Sequence, residues 1–204
     1  MGGATRDFYV EVVSHALGLL EASGAGHLVI GGVATRALLG DSLDTDEDVD
    51  VLVAEGEADA LLSRFADEGY ATHRPPEGWL YKAARPDVTI DLIFRAGEKI
   101  RLDDEHLARA RSARLDELEM PVPAPEDLAV MKAVFDQEDR PGRWYGALQV
   151  LRDCEIDWDY VARRGRAYAP KKILALLLYA SDAGLDVPSA TLEALARDAV
   201  GTGG

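Results

Sequence analysis

The chain has a single cysteine, Cys154, and four histidines. One thiol excludes an internal disulfide and any zinc site built on cysteine, and it suits a reducing cytoplasm. Its position near a helix reads as a small packing residue and not as a nucleophile. The histidines, His15, His27, His73 and His106, are scattered without metal-ligand spacing. No apolar run reaches the roughly 18 residues of a membrane-spanning helix, so no membrane association is expected. The start, Met1-Gly2-Gly3-Ala4-Thr5-Arg6-Asp7, lacks a basic region followed by an apolar one, so no signal peptide is read. The residues after Gly2 match a myristoylation signal only loosely. Basic residues are missing from the whole interval between Ala37 and Ser63, which holds nine acidic ones.

Hydrophobic residues make up 48% of the chain, enough for a real core, and charged residues 29%, enough for solubility. The net charge of −15 is uneven. Residues 1–120 carry 12 Lys+Arg against 24 Asp+Glu, a net of −12, and residues 121–204 a net of −3. Such a field repels polyanions at long range and argues against a nucleic-acid binder. The basic stretch Arg163-Arg164-Gly165-Arg166 with Lys171-Lys172, flanked by Tyr160 and Tyr168, is the one concentrated exception. It has two readings, a grip on RNA phosphates with aromatic stacking, or solvated helix ends.

Apolar spacing places a helix at 5–23 with Thr5 as its cap, then a short strand at Leu28-Val29-Ile30. Gly31-Gly32 leads into a short helix through Leu39, and Gly40 to Glu47 forms an acidic loop. A strand at 49–53, a helix at 55–67 and strands at 70–73, 78–84 and 88–94 follow, punctuated by Pro75-Pro76 and Pro86-Asp87. Pro121, Pro123 and Pro125 mark a boundary, beyond which only helices are predicted, at 125–138, 143–153, 157–165, 170–183 and 188–199. The reading is an α/β (α+β) domain over 1–120, with a mixed sheet and flanking helices, and a helical domain over 121–204. The glycine-rich tail, 200–204, is expected to be disordered.

Three aspartates carry the chemistry. Asp48 and Asp50 stand in Asp48-Val49-Asp50-Val51-Leu52-Val53, and alternation in a strand projects both the same way. Asp91 interrupts the apolar run Val88-Thr89-Ile90-Asp91-Leu92-Ile93-Phe94. An unpaired buried carboxylate is very costly, so a cation or donors must stand beside it. A divalent metal between two neighbouring strands accounts for all three. A calcium loop of the EF-hand kind does not: Asp44, Asp46, Asp48, Asp50 and Glu55 fall at the right intervals, but Val49 stands where glycine must make the sharp turn.

The order of strand, Gly-Gly, helix, Asp-x-Asp strand and later Asp strand resembles the nucleotidyltransferase superfamily of the DNA polymerase β type. The residues that carry the resemblance are Ile30-Gly31-Gly32, Asp48-Val49-Asp50-Val51 and Ile90-Asp91-Leu92. Val122-Pro123-Ala124-Pro125-Glu126-Asp127-Leu128, followed by Lys132, is similar to the start of the helical domain in small members, among them AbiEii-type toxins and antibiotic nucleotidyltransferases. The resemblance covers about residues 25–155. It implies that Asp48, Asp50 and Asp91 are catalytic and bind two ions of Mg2+ (or Mn2+), with Asp91 also the base or orienter of the attacking hydroxyl. It further implies that Gly31, Gly32 and Lys132 bind the nucleotide, ATP or another NTP. These roles match hard cations that prefer carboxylate oxygen and stabilise an in-line displacement.

The implied activity is transfer of an NMP from an NTP donor to a hydroxyl acceptor, with release of pyrophosphate, in the cytoplasm. Two other readings stay open: a catalytically degenerate fold that binds a nucleotide or a protein, and a toxin-like enzyme acting on tRNA or protein with an antitoxin-type protein partner. The acidic surface favours a small-molecule or protein acceptor over tRNA. The chain departs from the general pattern in three ways. Arg140-Pro141-Gly142-Arg143-Trp144-Tyr145-Gly146 keeps arginines but lacks the aspartate of the Arg...Lys-Asp segment that relatives often carry in the helical domain. The spacer between Gly32 and Asp48 is long, at 15 residues, and Asp44 and Asp46 stand where relatives often carry Arg and Ser/Thr.

Overall fold

The computed structural model describes residues 5–46, 48–97, 99–135 and 142–201. Two compact units divide the chain at Ala124/Pro125. The first holds the helices α1 (Arg6–Ser23), α2 (Gly31–Leu39), α3 (Ala58–Asp67) and α4 (Asp104–Ala108). Its strands are β1 (His27–Val29), β2 (Val49–Val53), β3 (Ala71–His73), β4 (Leu80–Arg85), β5 (Val88–Ile93), β6 (Arg111–Leu115) and β7 (Leu118–Val122).

Five strands form a mixed sheet in the order β1-β2-β5-β4-β3. β2 and β5 are parallel, and the other neighbours are antiparallel. The central strands β2 and β5 are buried almost throughout, as expected of strands covered on both faces. α3 turns Leu61, Leu62 and Phe65 inward and packs on β4, and α1 packs on β5. Thr5 caps α1 by accepting from the Phe8 amide, and Gly24 ends it in the left-handed region. Pro86 and Asp87 form the tight turn between β4 and β5, where Asp87 takes a φ of 60°.

Two elements were not legible in the sequence. α4 is only five residues long, closed by a capping box between Asp103 and His106. The hairpin β6–β7 turns at Asp116-Glu117, with φ 53° at Asp116. Asp tolerates that region, but Asp-Glu is not one of the strong hairpin signals. Asp48 stands one residue before β2, whose bounds match the expected strand at 49–53.

The second unit holds α5 (Pro125–Val134), α6 (Gly142–Asp153), α7 (Trp158–Tyr168), α8 (Pro170–Asp182) and α9 (Ser189–Gly201). α9 reaches into the expected tail, and residues 202–204 lie outside the described residues, as does 136–141 at the end of the expected helix 125–138. A buried carboxylate pair on the first turn of α5 organises this unit. Asp127 accepts from Arg164 Nε at 2.8 Å and from the Tyr160 hydroxyl at 2.7 Å, and all three side chains are buried. Glu126 accepts from the Asp157 amide at 2.8 Å, while Asp157 caps α7 through the Tyr160 amide.

This network takes Arg164 and Tyr160 out of the RNA-grip reading of the basic stretch. Arg164 and Tyr160 point into the core, Arg166 pairs with Asp198, and Lys172 donates to the Val134 carbonyl. Tyr145, by contrast, stands out in solvent at 61% exposure.

Removing Asp127 leaves the Arg164 guanidinium buried without its counter-charge. Asp127→Ala is expected to destabilise the protein by about 3–5 kcal/mol in urea unfolding followed by circular dichroism. An unchanged midpoint rules out the network as an organiser of this unit.

Candidate active site

Parallel pairing of β2 with β5 sets Asp50 directly beside Asp91. The tertiary register therefore joins two carboxylates that are 41 positions apart in the chain. Asp91 is 7% exposed, Asp50 is half-buried, and Asp48 is exposed at the start of the strand. Burial pushes the Asp91 carboxyl above the usual carboxylate range; Lys82 opposes that shift and the charge of Asp48 adds to it. The influence of Asp48 on Asp91 places all three aspartates in one electrostatic neighbourhood.

Gly31 shapes the floor of this neighbourhood. It opens α2 with a φ of 72°, and a Cβ there would overlap the Asp50 carboxylate and sit 3.1 Å from its Cγ. Only glycine fits both the backbone and the space. The Ile30 amide donates to the Asp50 carbonyl at 2.8 Å, fixing the glycine turn to β2. The Thr35 hydroxyl donates to the Gly31 carbonyl at 2.7 Å and steadies the first turn of α2. The Asp50 carboxylate thus lies against the N-terminal end of α2, where the helix dipole favours negative charge. No side chain caps that end. Gly32 follows within the same turn.

The acidic loop is less repulsive than its composition suggests. Arg36 of α2 reaches Asp44 Oδ2 at 3.0 Å and donates to the Ser42 carbonyl at 3.2 Å. Asp44 also accepts from the Asp46 amide at 3.1 Å. Asp44 is therefore neutralised by a helix residue that the sequence reading did not connect to it. Glu47 lies outside the described residues.

Lys82 is the second residue that sequence reasoning missed. It stands opposite Asp91 on β4, and its ammonium donates to both carboxylate oxygens, at 2.7 and 2.6 Å. The signal was present: the turn at Pro86-Asp87 pairs Arg85 with Val88, and three steps back along the hairpin bring Lys82 to Asp91.

Lys132, the remaining expected nucleotide contact, lies in the second unit. Its side chain runs along α6 at Gly146, where an added Cβ would be 3.1 Å from its Nζ.

The donor chemistry fits a hard divalent cation at Asp48 and Asp50, both of which offer carboxylate oxygen. It fits less well at Asp91, whose two oxygens already accept from Lys82. Among the described residues no group of three or more His, Cys, Asp or Glu side chains is arranged to hold a metal ion.

Gly31→Ala forces the Asp50 carboxylate aside and strains the backbone. The expected outcome is a loss of about 1–2 kcal/mol of stability, together with loss of any nucleotide-dependent thermal shift. Retention of that shift shows that Asp50 does not need the glycine floor.

A family profile described as nucleotidyl transferase of unknown function (DUF2204) matches residues 9–144. No curated protein matches the chain. Solved structures that share the fold at low identity include these three. The lincosamide antibiotic adenylyltransferase LnuA, solved with lincomycin bound, is 13% identical with a TM-score of 0.52, covering 73% of this chain and 99% of that one. An antigenic nucleotidyltransferase-like protein from Paracoccidioides brasiliensis is 15% identical with a TM-score of 0.58, covering 95% of each chain. ANT(2")-Ia, in complex with adenylyl-2"-tobramycin, is 13% identical with a TM-score of 0.53, covering 85% of this chain and 97% of that one. With two thirds of its length inside the family profile and the glycine turn and aspartate strands in place, the chain belongs to this nucleotidyl transferase family.

Proposed function

We propose that the protein transfers an NMP from an NTP to a hydroxyl acceptor and releases pyrophosphate, with a divalent ion, Mg2+ or Mn2+, at Asp48 and Asp50. The observation that carries this reading is the alignment of Asp50 with Asp91 on parallel strands above the Gly31 floor. In the reaction the acceptor oxygen forms a bond to the α-phosphorus. The bond from that phosphorus to the bridging oxygen of the pyrophosphate breaks, and the acceptor hydroxyl loses its proton. A bound divalent ion supplies charge neutralisation on the phosphate oxygens.

The protein's own residues do the placing. Amides of the Gly31-Gly32 turn and the start of α2 face an anionic group and bind the triphosphate. Gly31 lets that group approach the backbone closely. Asp91 orients the acceptor hydroxyl and takes its proton, and the raised affinity of its carboxyl for a proton suits that role. ATP is the first donor to test, since two proteins of similar fold are described with adenylyl transfer or an adenylyl product. The net charge of −12 over residues 1–120 favours a small-molecule or protein acceptor over a nucleic acid.

Thermal unfolding with each of the four NTPs, with and without Mg2+, tests the site before the acceptor is known. A ligand at 100 times its dissociation constant stabilises the fold by about 2.7 kcal/mol, a visible shift. The expected result is a shift that needs Mg2+ and is lost on chelation and in Asp48→Asn/Asp50→Asn. Absence of a shift with every NTP sinks the reading.

Once an acceptor is in hand, Asp50→Asn and Asp91→Asn are each expected to cut pyrophosphate release by about 100-fold or more while the unfolding profile stays folded. Undiminished release in either variant removes that aspartate from the chemistry.

A further inference from the structure

We infer that Lys82 is a built-in counterion that takes the place of a second metal ion on Asp91, so that the site works with one divalent ion per bound nucleotide. The inference rests on the proposed NTP site and replaces the expectation of two ions with one.

The geometry has three parts. First, β5 lies between β2 and β4, and the register sets Asp50, Asp91 and Lys82 side by side across the sheet. Asp91 thus has a carboxylate neighbour on one side and an ammonium on the other. Second, the Lys82 Nζ sits 2.7 and 2.6 Å from the two oxygens of Asp91. A metal ligated by Asp91 would have to share that carboxylate, and the space beside it, with a positive charge. Third, the Asp91 side chain is 9% exposed while that of Lys82 is 37% exposed. A carboxylate buried so deeply requires a partner in every state of the protein, and a covalently tethered cation supplies one without drawing on dissolved metal. Lys82 is therefore a positioning residue. It holds the Asp91 carboxylate in one orientation beside Asp50 and leaves Asp48 and Asp50 to the ion that accompanies the nucleotide.

A division of labour of this kind is read by counting ions, not by rate. Mn2+ binding is titrated by electron paramagnetic resonance on the full chain with saturating α,β-methylene-ATP, which binds as an NTP and does not react. The wild-type protein is expected to hold one Mn2+ per bound nucleotide. Lys82→Met keeps the length of the side chain and removes its charge, and is expected to hold two. Lys82→Arg restores a cation and is expected to return to one. In Lys82→Met/Asp91→Asn the second ion is expected to be lost.

Two ions in the wild type overturn the inference while the NTP reading stands. One ion in Lys82→Met, in a variant that still binds the nucleotide, also overturns it. Binding of neither nucleotide nor Mn2+ by the wild type removes the NTP reading itself, and the inference with it. If Lys82→Met does not fold, Lys82→Gln takes its place, with the same two-ion expectation.

Discussion

The structure of the first unit is built around a carboxylate in the middle of an apolar strand. Val88, Ile90, Leu92 and Ile93 are buried around Asp91, which is itself almost wholly buried. Such a group is tolerated only if its neighbours answer its charge. Lys82 does so from β4, while Asp50 on β2 and the nearby Asp48 add negative charge from the opposite direction. The same site therefore holds a compensated charge and an excess of negative charge that calls for a cation. Gly31 then removes the one side chain that would separate this excess from the N-terminal end of α2.

The second unit shows what a buried carboxylate looks like when it is fully enclosed. Asp127 has Arg164 on one oxygen and Tyr160 on the other, all of them inside the unit. The network joins α5 to α7. The contrast separates two uses of the same side chain. Asp127 is consumed by architecture, whereas the aspartates of the sheet combine with an exposed member, Asp48, and a glycine floor. The Glu126-Asp127 step that resembles the family's helical domain is thus, in this chain, a packing device.

Much of the site was legible in the sequence because each part carries a local signature. Asp50 and Asp91 stand out as charges in apolar strands, Asp48 as a charge just ahead of one, and Gly31-Gly32 as a turn between a strand and a helix. Pro86-Asp87 announced the turn that pairs β4 with β5. What stayed hidden depends on pairing across distance or on weak local signals. Arg36 neutralises Asp44 from the far side of a loop, which composition cannot show. The basic stretch around Arg164 looked like a surface patch because its carboxylate partner lies 37 positions earlier. The hairpin β6–β7 and the short α4 lack the turn residues or the length that make an element visible.

By itself the sequence determined the fold class, the glycine turn, and that Asp50 and Asp91 lie in strands, since hydrophobic period and turn chemistry are local properties of the chain. Only the tertiary structure decided that Asp50 lies beside Asp91, because parallel register depends on how separated strands pack and not on either strand alone. It also decided that Lys82 closes on Asp91 while Arg164 closes on Asp127. Charges of opposite sign attract wherever the chain brings them together, but burial selects which of those encounters must be permanent.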